Sequence, residues 1–61
     1  MKLETYLLRN GETDAAFARR VHLTIHAIRK YKNGQRLPKK ENVLKIKEVT
    51  KGAVREIDWY R

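Results

Sequence analysis

Hydrophobic residues recur along the chain every three to four positions, which is the spacing of one face of an α-helix. This spacing predicts four helices, over about residues 2–10, 14–21, 25–32 and 38–50. Thr13 and Thr24 are the predicted N-caps of the second and third helices, and Pro38 is the predicted first residue of the fourth. The predicted stop signals are Asn10-Gly11, Asn33-Gly34 and Thr50-Lys51-Gly52. The predicted core consists of Phe17, Val21, Leu23, Ile28, Tyr31, Leu37, Val43, Ile46 and Val49.

The segment after the fourth predicted helix, residues 53–61, is predicted as either a short helix or a short extended stretch. No alternation of apolar and polar residues bounded by a hairpin turn occurs in the chain. With 61 residues, the chain is long enough for one small domain only. The predicted fold is therefore all-α, a compact bundle of four to five short helices in a single domain over residues 1–61.

The composition argues against an enzyme, a metalloprotein and a membrane protein. Cys and Ser are absent, and the remaining candidate nucleophiles have no evident activating base beside them. His22 and His26 lack the further ligands of a tetrahedral metal site. No apolar run approaches the about 20 residues of a transmembrane helix, and the N-terminus lacks the apolar region of a signal peptide. We expect a soluble intracellular protein with no enzymatic activity, small-molecule substrate, metal or cofactor.

The positive charge is concentrated in the middle of the chain. The formal net charge is +8, and eight basic residues but no acidic ones lie between Ala15 and Lys40, whereas the rest of the chain holds seven of each sign. Interspersed charges would relieve the self-repulsion of such a segment. A polyanion is therefore the expected partner, and the nucleic-acid backbone is the commonest one for a small basic domain. A merely solvated charged surface and an acidic protein partner are the alternatives.

Two short helices joined by about three residues, the second of them basic on its outer face, predict a helix-turn-helix motif over residues 14–33. The fifth position of this motif, counted from Asp14, requires a small residue, and the chain has Ala18 there. Its ninth position usually holds Gly at positive φ; the chain has His22, a residue type enriched among the exceptions. The apolar positions between the two helices are all occupied as the motif requires, by Phe17, Val21, Leu23, Ile28 and Tyr31.

Four stretches of the sequence carry a resemblance to a known family: residues 16–21 (AFARRV), 23–31 (LTIHAIRKY), 33–38 (NGQRLP) and 49–54 (VTKGAV). Through them the chain resembles the small Cro-type repressors of bacteriophages and their YdaS-like prophage relatives. The resemblance implies a lambda-repressor-like core and a sequence-specific repressor of transcription in the cytoplasm of a bacterial or phage-infected cell. Some Cro relatives carry a β-hairpin in place of the last two helices, but the helical spacing over residues 38–50 favours the helical form.

The third predicted helix, over residues 25–32, is the expected recognition helix in the major groove of double-stranded DNA. Arg29 can present its forked guanidinium to the acceptors O6 and N7 of guanine, and Ile25 can cover a thymine methyl group. His26 lies in the first turn, where the family makes base contacts, and Lys30 reaches either a base or a phosphate. The predicted base contacts are thus Ile25, His26, Arg29 and Lys30.

Phosphate contacts are expected around this helix and its exit. Thr24 offers its hydroxyl and the free N–H groups of the helix N-terminus. Arg19 and Arg20 are adjacent on the second helix and cannot share one face, so at most one of them serves DNA, and the sequence does not decide which. The predicted phosphate contacts are Thr24, Lys32, Asn33, Arg36, Lys39 and Lys40.

The C-terminal segment is the expected interface of a weak homodimer. Val54 and Ile57 are three residues apart and are predicted to close onto the core, which leaves the aromatic pair Trp59 and Tyr60 exposed. The predicted dimer interface is Ile57, Trp59 and Tyr60. A two-fold operator site requires such a dimer. The alternative to DNA binding is a small protein-interaction module, such as an antitoxin whose basic face binds an acidic partner.

Overall fold

The computed structural model describes residues 1–59. Four α-helices, α1 (Leu3–Asn10), α2 (Asp14–Arg20), α3 (Ile25–Lys32) and α4 (Lys40–Val49), are followed by a C-terminal 3-10 helix (Glu56–Trp59). Residues 1–59 contain no strand. The all-α prediction is confirmed. The uncertain C-terminal segment is bent at residues 53–54 and helical over Glu56–Trp59. None of these helices is long and apolar enough to span a bilayer.

The helix boundaries follow local capping chemistry. The hydroxyl of Thr13 accepts the Ala16 N–H at 3.1 Å, and the hydroxyl of Thr24 accepts the Ala27 N–H at 3.1 Å, so both predicted N-caps are confirmed. Helix α4 begins two residues later than predicted. The segment before it stays extended through Lys39, whose φ is −64° and ψ is 157°.

The core lies where the inner faces of the helices meet. Helix α1 contributes two residues, and the C-terminal segment contributes Val54, which is fully buried. Leu23 and Val49, both predicted for the core, are partly buried and pack against it. The buried apolar residues are Leu3, Leu7, Phe17, Ala18, Val21, Ile28, Tyr31, Val43, Ile46 and Val54.

Leu37 is the one predicted core residue that the structure places on the surface, with 57% of its area exposed. It precedes Pro38, and a residue before proline is restricted to extended conformations. Neighbouring side chains of an extended chain point to opposite sides. Because Pro38 is buried, Leu37 is directed to solvent.

The C-terminal 3-10 helix reverses the predicted exposure of its apolar residues. Ile57 is 66% exposed, whereas Trp59 is partly buried and packs edge-on against Tyr31, with ring centroids 6.0 Å apart. The prediction that Ile57 closes onto the core and Trp59 stays exposed is therefore wrong, because Trp59 finds an aromatic partner on α3. Tyr60, predicted for the dimer interface, lies outside the described residues.

Polar contacts fix the C-terminal segment. The hydroxyl of Thr50, a buried group, donates to the Ile46 carbonyl at 2.7 Å and accepts the Val54 N–H at 3.1 Å. Further along, the Asp58 carboxylate accepts hydrogen bonds from the α-amino group of Met1 at 2.8 Å and from the Arg55 N–H at 2.7 Å. These bonds lower the pKa of Asp58. The sequence predicted Thr50 only as part of a helix stop signal, and it gave no indication that its hydroxyl joins α4 to Val54.

His22 occupies the left-handed backbone region, with φ of 58°, as the ninth position of the motif predicts. A residue with a Cβ atom is strained there, whereas glycine is not. We expect His22→Gly to raise the free energy of unfolding by about 1 kcal/mol, measured as a higher melting temperature. The matched control is His26→Gly inside α3, where glycine should lower the stability by about 1 kcal/mol. A lower melting temperature for His22→Gly would show that the imidazole has a packing role.

Candidate nucleic-acid interface

Helices α2 and α3 pack against each other across a short connection. The Leu23 N–H donates to the Ala18 carbonyl at 2.9 Å, and the His22 N–H donates to the Arg19 carbonyl at 3.3 Å, so the chain turns sharply at the end of α2. Ala18 is buried at the predicted small position, and Ile28 of α3 is fully buried. The two helices therefore hold each other through the apolar positions that the sequence singles out.

The outer face of α3 carries three of the four predicted base contacts. His26, Arg29 and Lys30 are exposed. Ile25 is only partly exposed and packs against the buried cluster. The prediction that Ile25 points fully outward is wrong, because residues three apart share a helix face and Ile25 stands three before Ile28.

Arg29 and Lys32 converge on one acidic residue of α2. The Nζ atom of Lys32 lies 2.9 Å from Oδ1 and 3.3 Å from Oδ2 of Asp14. The Nε atom of Arg29 lies 3.6 Å from Oδ2 of the same carboxylate. The predicted interface did not include Asp14. The pairing comes from tertiary packing, which brings the start of α2 beside the C-terminal half of α3.

Arg20 is engaged within the protein. Its guanidinium donates to Glu12 Oε1 at 2.7 Å and to the Val49 carbonyl at 3.2 Å, and it lies over the Phe17 ring, 6.0 Å from the centroid. The hydrogen bond to Glu12 raises the pKa of Arg20. Arg19 is exposed and has no ion pair within residues 1–59. Of the two arginines on α2, Arg19 is thus the one whose head group is available to a ligand.

The connection from α3 to α4 carries the rest of the basic surface. The predicted phosphate contacts Asn33, Arg36, Lys39 and Lys40 are exposed, as is Thr24 at the other end of α3. Lys32 differs from them because it is partly buried and bound to a carboxylate. On this surface, five exposed cations have no ion pair among residues 1–59: Arg19, Lys30, Arg36, Lys39 and Lys40. Four further exposed cations without an ion pair lie outside residues 15–40: Lys2, Arg9, Lys45 and Lys51.

Comparison of the chain with family models, with curated proteins and with solved structures gives no match.

Proposed function

We propose that the protein is a sequence-specific double-stranded DNA-binding repressor of transcription, similar to the Cro type. In this proposal, α2 and α3 form a helix-turn-helix motif and α3 enters the major groove. One observation carries it: five exposed cations without an ion pair lie on α2, on α3 and from there to the start of α4, and the chain has no acidic residue between Ala15 and Lys40. Phosphates would supply the missing counter-charge.

The proposed readout of bases uses the exposed face of α3. The Arg29 guanidinium presents two parallel N–H groups to guanine O6 and N7. His26, at the second residue of the helix, donates or accepts one hydrogen bond at a base edge. Lys30 reaches a base acceptor or a phosphate, and the exposed edge of Ile25 covers a thymine methyl group.

The proposed phosphate contacts flank this face. At the start of α3, the Thr24 hydroxyl oxygen already caps Ala27, and its proton remains for a phosphate oxygen. Beyond α3, Lys39 and Lys40 place positive charge at the start of α4, where the helix dipole opposes it; a phosphate relieves that conflict. The complete set is Arg19, Thr24, Asn33, Arg36, Lys39 and Lys40. The predicted contact Lys32 is left out of the proposal, because its ammonium is bound to Asp14.

Selection of bound sites from a random duplex pool, followed by salt titration of a selected and a random duplex, tests the proposal. We expect log K to fall linearly with log salt, by about 0.9 per neutralised phosphate, and the selected duplex to bind more tightly throughout. Equal binding of both duplexes would reject sequence-specific readout. Absence of salt-dependent binding to either would reject DNA as the ligand and favour the protein-interaction module.

A weak homodimer through the C-terminal segment belongs to the proposal. Ile57 is now its proposed centre, because Trp59 is already in contact with Tyr31. We expect sedimentation to show self-association of the wild type that strengthens on a duplex with two inverted half-sites, and weaker association of Ile57→Ala. The control is Leu8→Ala, which removes another exposed leucine-sized group on α1. A monomeric wild type that binds the half-sites without cooperativity would contradict the dimer.

A further inference from the structure

Asp14 is the acidic residue that contacts α3, and the proposed DNA contacts do not include it. It is the first residue of α2, and its side chain is 19% exposed. Its carboxylate is shared by two cations of α3. Lys32 Nζ lies 2.9 Å from Oδ1 and 3.3 Å from Oδ2, and Arg29 Nε lies 3.6 Å from Oδ2.

We propose that Asp14 is a positioning residue that determines specificity, holding Arg29 in the orientation that reads guanine. This inference rests on the proposed function and adds to it a residue that touches no DNA. The carboxylate acts on the preference between bases through the Arg29 side chain alone.

Asp14 contacts Arg29 at its Nε atom, and this geometry supports the assignment. A guanidinium carries five N–H donors in a planar fork. The carboxylate faces Nε, the inner donor, which leaves the two terminal amino groups for the bidentate contact with guanine O6 and N7. A long side chain loses rotamer freedom when it binds, and a partner that already restrains it reduces this loss. Asp14 therefore favours the contact that discriminates between bases.

Lys32 keeps the carboxylate in place. Its ammonium lies within 3.3 Å of both oxygens and is partly buried, so it fixes the plane in which Oδ2 meets Arg29. The negative charge of Asp14 also lies beside the cationic surface, where it weakens binding to any phosphate backbone. Asp14 thus lowers affinity for every duplex through its charge and, through Arg29, raises the ratio of specific to non-specific affinity.

The variant Asp14→Asn tests this inference, because the amide keeps the size of the side chain and removes its charge. We expect tighter binding to a random duplex, weaker preference for guanine at the position read by Arg29, and a five- to tenfold lower ratio of specific to non-specific affinity. The matched control is Glu41→Gln. It removes a first-turn carboxylate from α4, beside Lys39 and Lys40, and should change both affinities by the same factor.

A double-mutant cycle with Arg29→Ala measures how much of the effect of Asp14 on the affinity ratio depends on Arg29. If Asp14 acts through Arg29, Asp14→Asn leaves the affinity ratio unchanged in the Arg29→Ala background. An unchanged ratio for Asp14→Asn alone, in a chain that still discriminates between duplexes, would overturn the inference and leave the proposed function standing. The inference also fails if the loss is the same in both backgrounds. A wild type that does not discriminate between duplexes overturns the proposed function and this inference together.

Discussion

Arg29→Ala is expected to weaken binding to the selected duplex by about 1–3 kcal/mol and to flatten the preference at one base pair. Arg29 is exposed on α3, and alanine removes both terminal amino groups that fit guanine. The fold should be retained, because an exposed ion pair such as that of Arg29 with Asp14 contributes little to stability. Competition binding with duplexes substituted at each position measures the effect.

The control variant is Lys39→Ala, which removes an exposed cation that lies outside α3. It should weaken binding to all sequences alike and reduce the slope of log K against log salt by about one. The two variants are thus expected to differ in kind as well as in size. Equal losses on selected and random duplexes for both variants would reject Arg29 as a base-reading residue.

Phe17→Ala should lower the free energy of unfolding by about 3–5 kcal/mol. Phe17 is fully buried, and its ring packs edge-on against Tyr6 with centroids 6.0 Å apart. A chain of this length has a total stability of only about 3–9 kcal/mol. The variant is therefore expected to be largely unfolded at 37 °C, as circular dichroism and urea denaturation would show.

Leu8→Ala is the matched control for this loss, because Leu8 is 77% exposed on α1. It should change the free energy of unfolding by no more than about 0.5 kcal/mol. A cooperative unfolding transition for Phe17→Ala at nearly the wild-type urea concentration would show that the core does not depend on this ring.

The local features of the fold were predictable because they depend on near neighbours in sequence. The hydroxyls of Thr13 and Thr24 cap the helices that their positions indicate. The left-handed backbone at His22 follows from the turn that joins α2 to α3. The apolar spacing around Ile28 gives the buried face of α3. Each of these depends on contacts within about four residues, which is the range over which helical periodicity carries information.

The features that sequence reasoning missed depend on residues far apart in the chain. Arg19 and Arg20 have the same chemistry, and only the approach of Glu12 and Val49 distinguishes them. The inward position of Trp59 depends on Tyr31, which lies 28 residues earlier. In the candidate interface, the exposed cations followed from the charge pattern. The pairing with Asp14 did not, because nothing in the sequence fixes the approach of α2 to α3.

The hydrogen bonds of Arg20 make the arrangement of α2 and α3 depend on segments outside these two helices. They join α2 to Glu12 before it and to the last carbonyl of α4 after it, so two neighbouring segments hold the unit from outside. Its helices have seven and eight residues, and isolated helices shorter than about 12–15 residues are marginal in water. A peptide of residues 14–33 would therefore lose the relative orientation of its helices. Transplanting the proposed DNA-binding surface onto another scaffold would require carrying Glu12 and the end of α4 with it.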